Sequence, residues 1–385
     1  TEAEIKNIKE QSEFNFDQVS LSNEILNRIS AIDENRFSIN EAKLPQATAN
    51  RLRKNSKKKS SYASNRIEGN PLTEKQADEA IEKDEHRHFL RPEQEIRNYF
   101  MAMEYLERKC REKEPFSINL ILRVQELVEK GASKEKIGLR GAMPPGVLFA
   151  VCDAESGVAE YIPPEYTDVP NLLNELVQYV NTTDDHPLIA AAIVHYQLVT
   201  IHPFEDGNGR CARLLSGYIL DLNGYGFNGI GSLEEYFAYD PEEYYNSLQM
   251  GLPPLYYSGR ENPPHPEIWV NYFLRMVELY STKVREIFKE SAEGSLYESL
   301  SHLNSKEKEM LLLLLQRHLY EYTPIEVSKV NGVTNKTVIN RSVKLAANGF
   351  VTPIIVKERI RSYKLSQYAI ANEDTILSIL LSEHK

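Results

Sequence analysis

The sequence predicts a mainly α-helical protein with one β-hairpin near its middle and a winged helix-turn-helix at its C-terminal end. Three observations carry this. Residues 1–94 are polar and helix-prone. Residues 95–285 are mostly helical, with a single strand-like interruption. Residues 290–385 run helix, helix, turn, helix, hairpin, which sets them apart as a small domain.

The elements follow from local signals. A helix carries six cations between Arg51 and Lys59, read as a solvated face, and ends at Glu68. Gly69-Asn70-Pro71 stops it, with a residue tolerant of positive φ and then a proline. Thr73 and Gln76 form a capping box for the next helix. Val147 to Asp153 and Val158 to Ile162 are strand-like, joined through Ala154-Glu155-Ser156-Gly157, and Pro163-Pro164 closes the hairpin. A helix over Leu172–Val180 follows. Asp185-His186-Pro187 then opens a helix to Thr200 that is apolar on nearly every face, hence central and buried. Another runs from Asn208 to Leu222 and stops at Gly224. In the last domain, helices are expected over Lys306–Leu319, Pro324–Lys329 and Thr334–Ala347, with two strands flanking Lys357-Glu358-Arg359.

Composition narrows the function classes. The chain is 41% hydrophobic and 26% charged, with a net charge of −11, so it has ample material for a core and is not a disordered chain. Its longest apolar runs, such as Leu311–Leu315, fall far short of the ~20 residues of a spanning helix, and no membrane partner is expected. The first residues show no apolar leader pattern. Three scattered cysteines make neither a disulfide framework nor a zinc cage, and the expected compartment is the cytoplasm. The acidic balance disfavours bulk coating of nucleic acid. Residues 331–364 nevertheless hold seven cations against Glu358 alone, a candidate phosphate-contacting face.

The chemistry concentrates in His202-Pro203-Phe204-Glu205-Asp206-Gly207-Asn208-Gly209-Arg210-Cys211-Ala212-Arg213. Gly207 and Gly209 let the backbone approach a ligand. The helix that follows presents unpaired N–H groups and a positive dipole end, an anion site. Arg210 and Arg213 share one helix face and can grip a polyphosphate. Asp206 offers a hard oxygen ligand for Mg²⁺, and His202 a base that titrates near neutrality. Together they describe phosphoryl or nucleotidyl transfer. The P-loop lysine is missing, and so are the protein-kinase motifs. A metal site from His195, His202 and Asp206 lacks further ligands. Cys211 reads as packing and His186 as part of a helix start.

The segment resembles the signature of the Fic family, H-x-F-x-[DE]-G-N-G-R-x-x-R, complete from His202 to Arg213. The resemblance covers residues 95–285 and implies a Fic-type helical core. It implies a protein adenylyltransferase that moves AMP from ATP to a Tyr, Thr or Ser hydroxyl of a target protein. His202 would be the base and Asp206 the Mg²⁺ ligand. Phe204 would anchor the loop. Gly207, Asn208 and Gly209 would form the anion hole, and Arg210 and Arg213 would hold phosphates, Arg213 toward the γ end. Tyr244 and Tyr245 resemble a tyrosine pair that lines the nucleotide-base pocket. The hairpin resembles the family's flap, and its edge, Val158, Ala159, Glu160 and Tyr161, would pair with an extended target segment. Ser64-Asn65-Arg66-Ile67-Glu68-Gly69 resembles the inhibitory motif [ST]-x-x-x-E-[GN], in which Ser64, Glu68 and Gly69 occupy the defined positions and Glu68 would pair with Arg213. A carboxylate at a helix C-terminus is disfavoured by about 0.3–1 kcal/mol, so Glu68 needs a partner. Two other readings stay open: a DNA-binding regulator whose Fic-like part senses nucleotide, and a net de-AMPylase. The last domain would contact DNA, a second copy in a homodimer, or a target protein.

Overall fold

The computed structural model describes residues 21–42, 44, 46–83, 88–132, 137–152, 157–252, 265–356 and 359–383. The chain divides into two compact units, Thr1–Glu286 and Ile287–Lys385. The expected hairpin loop residues 154–156, the pair Lys357 and Glu358, and the first twenty residues lie outside the described residues.

The first unit opens with α1 (Asn23–Glu41) and α2 (Gln46–Ile67). Helix α2 buries small residues, Ser56, Ser60, Ser61, Ala63 and Ser64. Small side chains let it lie close to its neighbours, and their hydroxyls are used: Ser56 accepts from Gly231 N at 2.7 Å and Ser60 meets Ser232 at 2.9 Å. The cation run on α2 is not a bare solvated face. Lys58 pairs with Glu82, Lys57 with Glu104 and Glu107, and Arg53 donates to the Asn228 carbonyl. Acidic side chains on neighbouring helices meet the run, which is why Lys57 and Lys58 are only 18% and 14% exposed.

Gly69, at φ +80°, ends this segment. Thr73 and Gln76 form the capping box of α3 (Glu74–Glu82). Helix α4 (Arg91–Arg111) runs across residue 94, so no element ends at the expected boundary there. Helix α5 (Ile118–Glu129) brings Glu129 to its last turn. Strands β1 (Val151–Cys152) and β2 (Ala159–Tyr161) pair antiparallel, Val151 opposite Tyr161 and Cys152 opposite Ala159, with a register irregularity between. They are shorter than the strand-like runs of the sequence.

Helix α6 (Val169–Thr182) leads to α7 (Pro187–Ile201), in which every residue but Pro187 and Val199 is buried. It is the central helix of the unit, and its closest partner is α8 (Asn208–Leu222). Helices α9 (Glu234–Tyr239) and α10 (Pro241–Gln249) follow, then α11 (Pro266–Ser301), on which the division between the units falls. Trp269 of α11 is buried and donates to the Ala192 carbonyl at 2.7 Å.

The second unit holds α12 (Ser305–Gln316), β3 (Glu321–Tyr322), α13 (Pro324–Asn331), α14 (Asn335–Ala347), β4 (Val351–Val356) and β5 (Arg359–Leu365). Helices α15 (Gln367–Ala371) and α16 (Glu373–Glu383) complete it. The sheet order is β3-β5-β4, all antiparallel. Its core gathers Leu311, Leu314, Val338, Leu345, Phe350 and Tyr363. Sequence reading missed β3, which is two residues long, and the last two helices. Among the described residues no helix is long and apolar enough to cross a membrane.

Gly231 sets a tight contact in the first unit. It has φ +86°, and a β-carbon there would lie 2.7 Å from Tyr280 and from Val284. Gly231→Ala therefore combines backbone strain with overpacking and is expected to lower stability by about 2 kcal/mol or more. Urea unfolding followed by the fluorescence of the chain's one tryptophan, Trp269, measures it. An unchanged midpoint would contradict the contact.

Candidate active site

Helix α7 ends on His202, whose φ of 49° and ψ of 58° turn the chain out of the helix. Its ring Nδ1 lies 3.2 Å from the Val199 carbonyl. A carbonyl only accepts, so Nδ1 carries the proton and the basic lone pair is on Nε2. The ring sits 6.0 Å from that of Phe149, which precedes β1.

The loop after His202 is held from both sides. Phe204 is fully buried. Asn208 closes the turn: its Oδ1 accepts from Phe204 N at 3.0 Å and its Nδ2 donates to Phe204 O at 2.9 Å. Both ends of that amide are used to close the turn, and the backbone N–H of Asn208 faces out of the helix end. Arg140, buried and absent from the sequence reading, clamps the loop. Its Nε donates to His202 O at 2.7 Å, its Nη2 to Pro164 O, and its backbone N to Pro203 O at 2.9 Å. The two-stranded hairpin is tied to the same place, since Tyr161 donates its hydroxyl to Thr200 O at 2.7 Å.

Gly207, at φ +86°, is the N-cap of α8 and brings no side chain to cap it. The first helical bond runs from Cys211 N to Gly207 O. The N–H groups of Asn208, Gly209 and Arg210 therefore point out of the helix end, toward negative charge. A β-carbon at Gly207 would meet Glu129 Oε1 at 2.6 Å. This glycine admits a carboxylate behind the loop.

Charges alternate around this helix end. Arg210 is 4% exposed and lies 2.9 Å from Glu129 Oε1 and 3.2 Å from Asp206 Oδ1. Its Nε and Nη1 are buried with no hydrogen-bond partner among the described residues. Arg91 reaches Asp206 Oδ2 at 3.3 Å. Asp206 also accepts from Gly207 N at 2.7 Å and stays about one-third exposed. Burial pushes the Glu129 carboxyl up to about 7, against the pull of Arg210 and with the repulsion of Asp206 and Glu95. Neither Glu129 nor Arg91 belongs to the loop motif, and no local pattern marks them.

Arg213, one turn on, is 1% exposed. Its Nε donates to Ser64 Oγ at 2.7 Å, its Nη2 to Ser64 O at 3.1 Å and Glu68 Oε1 at 2.6 Å, and its Nη1 to Tyr244 OH at 3.2 Å. Ser64 and Glu68, expected from their spacing alone, thus converge on one guanidinium 145 or more residues away. Gly69 lies beyond them and serves the turn. Burial works to raise the Glu68 carboxyl. Attraction by Arg213 and Arg210, the bond from Arg213 and the nearness of His202 outweigh it, so Glu68 sits below the usual carboxylate value. Its Oε1 lies over the α-carbon of Gly209, where any β-carbon would collide with it.

The two tyrosines part company. Tyr245 is half-exposed. Tyr244 is turned into the core, because its hydroxyl bridges Arg213 and His195 Nε2, the latter at 3.1 Å. Of the pair expected from the resemblance, Tyr245 alone presents a half-exposed ring. His195 is fully buried among Phe237, Tyr244, Trp269 and Phe273, and burial holds its pKa well below the usual value. It is a neutral core residue. No group of three or more His, Cys, Asp or Glu side chains among the described residues is arranged to hold a metal ion by itself. Cys211 is buried, and burial raises its thiol, as packing requires.

Two expectations follow. Gly209→Ala displaces the Glu68 carboxylate from Arg213, so the Glu68 carboxyl should titrate closer to an ordinary glutamate, read by NMR of the side chain. An unchanged Glu68 titration would contradict the close approach. Glu129 is raised above its unfolded value of 4.5, so the native state keeps a proton that the unfolded chain releases. That costs stability as pH rises from 4.5 to about 7. Glu129→Gln should lessen the loss across this window, measured by urea unfolding at both ends. A slope as steep as in the wild type would refute it.

The family model for the Fic/DOC family matches residues 115–220. The chain is 29% identical over 218 residues to the protein adenylyltransferase Fic of Drosophila mojavensis, covering 51% of this chain and 38% of that relative. It is 28% identical over 210 residues to the protein of the same name from Drosophila grimshawi, covering 51% and 40%. The chain thus spans about two-fifths of the length of these curated relatives. Among solved structures, a Fic family protein from Desulfovibrio desulfuricans aligns with a TM-score of 0.55 at 22% identity, over 90% of this chain and 97% of that one. A Fic domain containing signaling protein from Bacteroides thetaiotaomicron aligns with a TM-score of 0.56 at 24% identity, over 68% and 97%. At these identities the structural likeness is one of fold. With the complete loop motif of residues 202–213 set on α7 and α8, and the family model matched around it, residues 115–220 carry a Fic/DOC family domain.

Proposed function

We propose that the chain transfers AMP from ATP to a Tyr, Thr or Ser hydroxyl of a protein target, and that Glu68 restrains it. The observation that carries this reading is the Glu68 carboxylate on Arg213, above the N-terminus of α8. An acidic group already sits where the helix end and two arginines would draw a phosphate. The names of the curated relatives support the reaction class.

The residues fit a polyphosphate. Arg210 has two buried nitrogens without partners, and the first turn of α8 offers N–H groups. Asp206, partly exposed, supplies the hard oxygen suited to Mg²⁺. A bound Mg²⁺ would neutralise charge on bridging phosphate oxygens. His202 Nε2 takes the proton of the target hydroxyl. The hydroxyl oxygen then bonds to the α-phosphorus of ATP, the bond from that phosphorus to the β-bridging oxygen breaks, and pyrophosphate leaves. The β2 edge of the two-stranded flap is suited to receiving an extended target segment. Glu68 is one-third exposed. The same carboxylate can orient a water for removal of AMP, which incubation with an AMP-modified target would read.

The second unit is read as a winged helix-turn-helix, with α13 and α14 as the helix pair and β4–β5 as the wing. Its exposed Lys336, Lys344, Arg359, Arg361 and Lys364 suit a duplex or a docked protein. A steep salt dependence of duplex binding would favour the first.

Self-labelling tests the main reading. Glu68→Gly should incorporate label from ATP marked at the α-phosphate, well above the wild type, and none from the γ-phosphate. Adding His202→Ala should cut incorporation by roughly 10²–10⁴-fold with ATP still bound. Label from the γ-phosphate alone would replace this reading with kinase chemistry. Equal, low labelling of wild type and Glu68→Gly, with ATP bound by both, would remove Glu68 as the restraint.

A further inference from the structure

A helix C-terminus leaves its last carbonyls without helical partners, and water commonly satisfies them. At the end of α7 protein groups do so instead. Leu198 O accepts from His202 N at 3.0 Å, and Val199 O faces the His202 ring. Thr200 O accepts from the Tyr161 hydroxyl. The next three carbonyls belong to Arg140. Ile201 O lies 3.4 Å from its Nη2, His202 O 2.7 Å from its Nε, and Pro203 O 2.9 Å from its backbone N. Nη2 also donates to Pro164 O, beyond β2. The guanidinium lies 5.0 Å from the ring of Phe149, before β1. One planar group thus joins the turn that carries His202 to both ends of the hairpin.

The position of Arg140 is fixed from behind. Gly138, at φ +103°, donates its N–H to Gln125 Oε1 of α5 at 3.0 Å. Leu139 then forms an antiparallel bridge with Phe204, which lays this segment along the loop. Arg140 is only 5% exposed, and its side chain donates to neutral carbonyls. A desolvated guanidinium held by neutral acceptors is costly. What it secures is an unusual backbone. His202 is a non-glycine residue at φ 49° and ψ 58°, a left-handed conformation that L side chains disfavour and that the surroundings must impose. Lysine, a point charge, cannot span carbonyls of three separate residues as the planar fork does.

We propose that Arg140 is the positioning residue for the base. It holds the His202 backbone in the left-handed turn and so keeps Nδ1 on the Val199 carbonyl, with Nε2 as the basic nitrogen. Arg140 acts through His202 and touches no reacting atom. This role rests on the transfer reaction proposed above.

Two readouts separate it from a loss of stability and from a failure of the transfer reading. The first is labelling from α-labelled ATP in the Glu68→Gly background. Arg140→Met should cut the rate at saturating ATP by roughly 10²-fold, with the half-saturating ATP concentration changed by less than about twofold. Arg140→Lys, which keeps the charge and the long stem, should still lose about tenfold or more. With His202→Ala added, neither substitution should lower labelling further, because no base is left to position. An equal fractional loss with and without His202 would make Arg140 merely structural and overturn the proposal, as would a full rate in either Arg140 variant. The second readout needs no activity. Nitrogen NMR of the His202 ring, assigned by difference from His202→Ala, shows which nitrogen of the neutral imidazole holds the proton. The wild type should hold it on Nδ1, and a folded Arg140→Lys should show both tautomers. An unchanged tautomer in that variant would overturn the proposal. If Glu68→Gly takes up no label at all, the transfer reading fails, and the ring tautomer still decides whether Arg140 sets His202.

Discussion

A guanidinium with almost no exposed surface must be matched by acceptors, because stripping it of water without partners costs several kcal/mol. Arg213 is that group, and much of the first unit is arranged to satisfy it. Ser64 and Glu68 come from the end of α2, Tyr244 from α10, and His195 backs Tyr244 from α7. Three helices far apart in sequence are thereby fixed to one side chain of α8. Removing Glu68 takes away only one of these contacts, and the partly exposed one. The serine and tyrosine remain, so Arg213 keeps most of its acceptors without Glu68.

A second chain of charge runs beside it. Arg91, Asp206, Arg210 and Glu129 alternate in sign around the helix end. Each carboxylate faces arginine, and Arg210 retains two buried nitrogens that the carboxylates do not use. Those donors sit at a helix N-terminus, whose dipole favours anions although the whole chain is acidic. Net charge describes the surface; the cleft is decided by five or six groups.

The loop motif was legible because its residues are contiguous and its chemistry is local. Helix ends were legible for the same reason: Gly69, the Thr73 box and Asn208–Leu222 stand where their signals put them. What escaped is what depends on meeting across the chain. Arg140 and Glu129 look like ordinary loop and helix charges until the loop of residues 202–213 folds over them. The cation run on α2 reads as solvated because its acidic partners lie up to 50 residues further along. Tyr244 and Tyr245 are adjacent, and which one turns inward depends on Arg213 rather than on periodicity. Strand β3 consists of two residues and carries no pattern of its own.

The helix that delivers His202 has almost no solvent face, and this bears on motion. A helix C-terminus ordinarily frays, and a side chain there samples many positions. Here the last turn is enclosed: Ile201 is buried, Arg140 grips the carbonyl of His202, and Tyr161 holds that of Thr200. The conformational entropy of this turn is lost when the chain folds. Amide exchange in this turn is thus expected to require opening of the packing that encloses it.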